Sequence, residues 1–311
     1  MIWSFQICIE KGDGHVTVGN IPVTRRRGPY LARYCVLLLW DVMRKHYLLS
    51  VLCSSLFMVS GNCVARTAPS AHAPEAGYLT PATQPDATQY LPPPPQAGSA
   101  RQAADDHAFE STRRLKGGAR WALATSDADL RIEALLRSFS CAAGFTIDAS
   151  KAPRLAALIH RMDVSEIPDM RNAKASWHRA RPFVGNTQSI CTEDDRSHLA
   201  TSGAYPSGHT LLGWSTALVL AELLPDRSTE ILQRGRVFGE SRIVCGVHWA
   251  SDVLEGYMTG AGDIAAMHGN PAFRADLDAA RTELESLRHE APKPNPQACT
   301  IEHDAAAHSP L

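Results

Sequence analysis

Leu277, Ala280, Leu284 and Leu287 recur at three- and four-residue spacing between charged neighbours, the stripe of a surface helix that buries one face. Residues 210–224 differ, being apolar nearly all round, which predicts a buried central helix. Residues 249–268 place Val253, Tyr257, Ala261 and Ile264 on one face, and Gly256 and Gly260 leave room for a neighbouring helix. No stretch between Ala103 and His289 sustains the two-residue alternation of a strand. The pattern predicts an all-α fold, a single compact helical domain over 103–290 built around a buried central helix. Residues 66–102, with YLTP at 78–81 and LPPPPQAGS at 91–99, read as a proline-rich extended arm. The tail 291–311 reads mostly as loop that Cys299 could tie down.

The N-terminus reads as a targeting segment. Met43, Arg44, Lys45 and His46 precede an apolar run at 47–60 and then Cys63, Val64 and Ala65, the order of a secretory signal peptide over 43–65 cleaved after Ala65. The apolar run is too short to span a bilayer comfortably. Residues 1–42 precede a natural start at Met43 and read as an upstream extension. The expected location is therefore periplasmic or secreted, with no stable membrane span.

Cysteine usage fits export. Of eight cysteines, Cys8, Cys35, Cys53 and Cys63 fall in the removed part, while Cys141, Cys191, Cys245 and Cys299 remain. An even number in an oxidising compartment points to two disulfides, with three pairings open. Net charge is −1 overall, and the removed part is basic, so the mature chain is acidic. Nothing global points to nucleic acid, and any anion must be held by local cations.

Three segments carry candidate chemistry. In KASWHRARPF (174–183), Lys174 and Arg181 are two helical turns apart and would share a face, before Pro182 ends the helix or starts a turn. In GAYPSGHT (203–210), Ser207 sits at the expected start of the central helix, where free N–H groups favour an anion. Gly208 allows close backbone approach there, and His209 can donate or accept a proton beside it. In SRIVCGVHWASD (241–252), His248 and Asp252 are four apart on one helix face, and Arg242 offers a fork for an oxyanion. Taken singly, these read as a solvated basic face, a capped helix and a surface pair.

Together, Lys174-x6-Arg181-Pro182, Pro206-Ser207-Gly208-His209 and Ser241-Arg242-x5-His248-x3-Asp252 resemble the tripartite signature of the type 2 phosphatidic acid phosphatase and vanadium haloperoxidase superfamily. YLTP, LPPPP, RPF, YPSGHT, GWSTALVLAE (213–222) and NPAF (270–273) look like bacterial class A nonspecific acid phosphatases, over roughly 78–288. Ala204 and Ala175 depart from that family, which usually shows serine and aspartate there. The departures bear on substrate preference and activity level, not on the reaction.

The resemblance implies hydrolysis of phosphate monoesters through a phosphohistidine. His248 would be the nucleophile, Asp252 its orienting partner and His209 the acid and then base. Lys174, Arg181, Arg242, Ser207 and Gly208 would bind the phosphoryl oxygens. It implies no cofactor and no metal, although His209, His248 and Asp252 could ligate zinc by residue type. Three cations at one spot oppose a divalent ion. Small phosphomonoesters (nucleotides, sugar and aryl phosphates) are the implied partners, and a homodimer is compatible with the resemblance. The alternative is a vanadate-dependent haloperoxidase, generally a longer chain. With Arg242, His248 and the RPF turn converging on one phosphate, the expected bridges are Cys191–Cys245 and Cys141–Cys299.

Overall fold

The structure is a computed structural model that describes residues 76–311. The signal peptide at 43–65, the extension at 1–42 and residues 66–75 of the arm lie outside the described residues. Among the described residues all regular structure is helical: α1 (Ala87–Tyr90), α2 (Ala100–Thr112), α3 (Ala119–Ser126), α4 (Ile132–Ser138), α5 (Ser140–Ala143), α6 (Pro153–Trp177), α7 (Arg196–Ala200), α8 (Gly208–Leu223), α9 (Ser228–Cys245), α10 (Ala250–Met267), α11 (Pro271–Glu290) and α12 (Pro296–Ala307). None of them is long and apolar enough to cross a membrane.

The apolar run after Ser207 becomes α8, the predicted central helix, and it packs mainly against α9 and α10. Close approach depends on Gly256 and Gly260 of α10. A Cβ at Gly256 would lie 2.8 Å from the Ser207 carbonyl, and one at Gly260 would lie 2.8 Å from that of Leu211. Any larger residue would push α10 off α8, so the glycines set the distance between the second and third motifs.

The stripe at 277–287 is realised in α11. Phe273, Leu277, Ala280, Leu284 and Leu287 are buried in one cluster with Leu155, Leu158, Ile159 and Met162 of α6. Truncating one of these leucines to alanine would cost about 2–5 kcal/mol. Residues 76–99 pack onto this layer: Tyr78 is buried edge-on against Phe273, and its hydroxyl lies 2.7 Å from Asp276 Oδ2. One helical turn, α1, interrupts this segment, capped by Asp86. Helical structure resumes at Ala100, three residues before the sequence pattern suggested, because Ser99 caps α2 through the Gln102 N–H.

The tail departs from expectation. Residues 296–307 form α12 instead of loop. Asn295 accepts from the Gln297 N–H at 2.9 Å and Pro296 occupies the first turn, two start signals that outweigh the surrounding prolines. Disulfides join Cys141 to Cys299 and Cys191 to Cys245, the pairs expected.

Candidate active site

Three stretches far apart in sequence meet where α6 ends and α8 and α10 begin. The Ala204 N–H donates to the Arg179 carbonyl at 2.9 Å, linking the first motif to the second. The Ser207 N–H donates to the Asp252 carbonyl at 2.9 Å, linking the second to the third. The Cys191–Cys245 bridge and the 2.9 Å bond from the Cys191 N–H to the Cys245 carbonyl hold the loop after the RPF turn to the end of α9.

Two local expectations need correction. Lys174 and Arg181 do not share a helix face, since α6 stops at Trp177 with His178 in the left-handed region at φ 46°. The His178 N–H caps the Lys174 carbonyl at 3.1 Å, and Pro182 disfavours helix at Arg181, so 178–182 runs on as irregular chain. Nor are His248 and Asp252 both within a helix. His248 precedes the N-cap Trp249, and Asp252 lies in the first turn of α10, where its Oδ2 accepts the Trp249 N–H at 2.9 Å. The capping role explains the spacing: a first-turn carboxylate reaching back to the cap residue also meets the side chain just before it.

His248 is buried, and its two nitrogens have distinct partners. Nδ1 lies 3.2 Å from Asp252 Oδ2, and Nε2 lies 3.0 Å from Arg181 Nη1. The carboxylate can only accept and the guanidinium can only donate, so the hydrogen sits on Nδ1 and Nε2 presents a lone pair. Burial, then Arg181, Lys174 and Arg242, pushes the imidazole well below its usual range. The shift favours the neutral ring, whose Nε2 lone pair is available.

Three cations act on that ring, Arg181 at Nε2 itself and Lys174 and Arg242 through their charge. Arg181 is anchored by the Val247 carbonyl at 2.9 Å and Ser202 Oγ at 3.0 Å, and Lys174 Nζ by the Gly203 carbonyl at 2.7 Å. Burial and the neighbouring Arg181 lower Lys174 to about 7. Arg242 at the end of α9 is buried, and its Nε and Nη1 have no hydrogen-bond partner among the described residues. Burial and Arg181 lower it to about 9. A buried guanidinium costs several kcal/mol to desolvate, so two unmatched donors under the repulsion of Arg181 call for an anion. Ser207 caps α8 through Thr210, and Gly208 packs against the Met170 side chain.

His209, in the first turn of α8, is partly exposed, and its Nε2 lies 3.1 Å from the Ala128 carbonyl. The carbonyl accepts only, so Nε2 carries hydrogen and Nδ1 remains for a ligand. Burial, then Arg242, Arg181 and Lys174, push this imidazole well below its usual range, and the Ala128 bond offsets only part of that.

Sequence reasoning missed Arg179 and Asp105. Arg179 Nη1 donates to Asp252 Oδ1 at 2.6 Å and Ser251 Oγ at 2.6 Å, and its Nη2 to Asp105 Oδ2 at 2.6 Å. Asp105 also accepts the Ser251 N–H at 2.7 Å. No local signal marks either residue: Arg181 contacts His248 Nε2 itself, while Arg179 reaches the histidine only through Asp252. Burial raises the Asp252 carboxyl, while Arg179 and the Trp249 N–H pull it down. Burial is the larger influence and leaves the carboxyl raised to about 7, and donors on both oxygens favour its ionised form. No group of three His, Cys, Asp or Glu among the described residues is arranged to hold a metal ion.

The PAP2 superfamily model matches residues 155–272, which contain all three motifs. The acid phosphatase of Zymomonas mobilis subsp. mobilis is 54% identical over 220 residues, 71% of this chain and 83% of that protein. A non-specific acid phosphatase of Providencia stuartii is 36% identical over 246 residues, 78% of this chain and 98% of that protein. That of Salmonella typhimurium is 38% identical over 196 residues, 63% of this chain and 78% of that protein. With the three motifs converging as described, the chain belongs to the PAP2 superfamily, among its class A-type acid phosphatases.

Proposed function

We propose that this acid phosphatase hydrolyses small phosphate monoesters through a phosphohistidine on His248, outside the cytoplasm and over a broad range of nucleotide, sugar and aryl phosphates. The observation that carries the reading is the His248 tautomer: Nδ1–H toward Asp252 and the Nε2 lone pair toward Arg181. Incoming phosphate takes over the Arg181 N–H, with Arg242 and Lys174 on its other oxygens. The freed lone pair forms an N–P bond as the ester P–O bond breaks; His209, protonated at Nδ1 once the negative charge of the bound phosphate offsets the cations that otherwise keep the ring neutral, gives that proton to the departing oxygen. Water then gives a proton to His209 and attacks phosphorus, and the N–P electron pair returns to Nε2. Three fixed cations match the charge spread over the equatorial oxygens in the transition state better than in the ground state.

The names of the relatives favour hydrolysis over vanadate-dependent halide oxidation. Purified protein should hydrolyse p-nitrophenyl phosphate with EDTA present and be inhibited competitively by vanadate, which can expand to five-coordinate geometry on the same cations. EDTA inhibition reversed by zinc would overturn the reading.

A further inference from the structure

The turn between α3 and α4 reaches His209 with a backbone carbonyl, and that turn is held by a buried ion pair outside the three motifs. Asp127, the residue before Ala128, is 1% exposed. Its Oδ1 accepts Arg234 Nη2 at 2.5 Å, and its Oδ2 accepts Arg234 Nη1 at 3.2 Å and the Ser241 hydroxyl at 2.6 Å. Arg234 is equally buried and also donates from Nε to the Ser138 carbonyl at 2.9 Å, at the far end of α4. Glu302 of α12 lies 3.2 Å from Arg234 Nε, on the helix that Cys299 fastens to α5. Ser241 immediately precedes Arg242 and accepts from Arg120 Nη1 of α3 at 2.9 Å. Asp127 therefore ties α3, α4 and α9 together one residue from each of two elements at the site: the Ala128 carbonyl and Arg242.

We propose that Asp127 is a positioning residue for the leaving-group step, fixing the Ala128 carbonyl that holds His209 Nε2–H and leaves Nδ1 to the departing oxygen. The inference rests on reading His209 as the leaving-group acid. A carbonyl on Nε2 does two things: it fixes the ring plane, and it favours the imidazolium against the cations that face the ring, Arg242 from α9, Lys174 from α6 and Arg181 from the loop. If Asp127 is weakened, the carbonyl drifts, the ring is freed, and proton donation suffers while phosphate binding and attack by His248 do not.

The test compares an alkyl phosphate, which needs the proton, with p-nitrophenyl phosphate, whose leaving group is a weak base. Asp127→Asn should lower kcat for the alkyl substrate at least tenfold more than for p-nitrophenyl phosphate, within the range of general-acid contributions. The alkaline limb of the alkyl kcat profile should move to lower pH. In a His209→Ala background, Asp127→Asn should add no further leaving-group selectivity. Ser241→Ala, which withdraws one donor and leaves the Arg234 pair, should show the same selectivity in smaller degree should Asp127→Asn fail to fold. Equal losses on both substrates in these variants, with His209→Ala itself selective, would overturn the proposal and leave the reading of His209 standing. A His209→Ala variant without selectivity would overturn both.

Discussion

Arg179→Met is the substitution whose consequence follows most directly from the geometry. The guanidinium is 8% exposed and bridges Asp105, 2% exposed, and Asp252, fully buried. Methionine fills similar volume but leaves two buried carboxylates without their shared counter-charge. Removing one partner of a buried ion pair costs about 3–5 kcal/mol, which for a domain of this size corresponds to roughly 6–20 °C in Tm. The effect on activity has a sign. Asp252 serves His248 only as a carboxylate. Burial already raises it, and Arg179 is the largest influence lowering it. Without Arg179 the carboxyl protonates at higher pH, so the acidic limb of kcat/KM should move upward and activity in acid should fall. Arg179→Lys can reach only one of the two carboxylates, and should recover part of both losses. Thermal unfolding followed by circular dichroism, with a pH profile on p-nitrophenyl phosphate, measures the two effects. A variant within 1 °C of wild type with an unmoved acidic limb would refute the argument that Arg179 sustains the Asp252–His248 pair.

Two further outcomes are expected. The Cys191–Cys245 bridge spans 54 residues and Cys141–Cys299 spans 158, for which chain entropy gives about 4 and about 5 kcal/mol; replacing the first pair by serine should lower activity as well as Tm, the second chiefly Tm, read by urea unfolding and initial rates. Asp263 is fully buried and raised to about 8 by desolvation and Asp169, so its contribution is fully present below the unfolded pKa near 4 and is lost as pH rises toward about 8; Asp263→Asn should flatten the fall in Tm over that window, and an unchanged slope would contradict the assignment.

The helices that build the core were legible because their periodicity is local. The 277–287 stripe and the apolar run of α8 needed no tertiary information. The helix ends were less legible. Nothing in KASWHRARPF announces that His178 adopts a left-handed conformation, and that one residue removes Arg181 from the helix face it would otherwise share with Lys174. The spacing of His248 and Asp252 was read correctly as a pair but placed on the wrong structure, since i,i+4 arises from a capping carboxylate as readily as from a helix surface. Asp105 and Arg179 lie 74 positions apart, and Asp127 and Ser241 lie 114 apart. Such supports become visible only when the chain is folded, because no local pattern marks a buried carboxylate before its partner is known.

The central claim is the covalent intermediate. Wild-type protein mixed rapidly with labelled phosphomonoester and quenched in alkali should yield a phosphoryl group that is stable in base, labile in acid, and mapped by peptide sequencing to His248. His248→Ala should yield none and should not turn over. An acid-stable label on a serine, or full turnover by His248→Ala, would contradict the account.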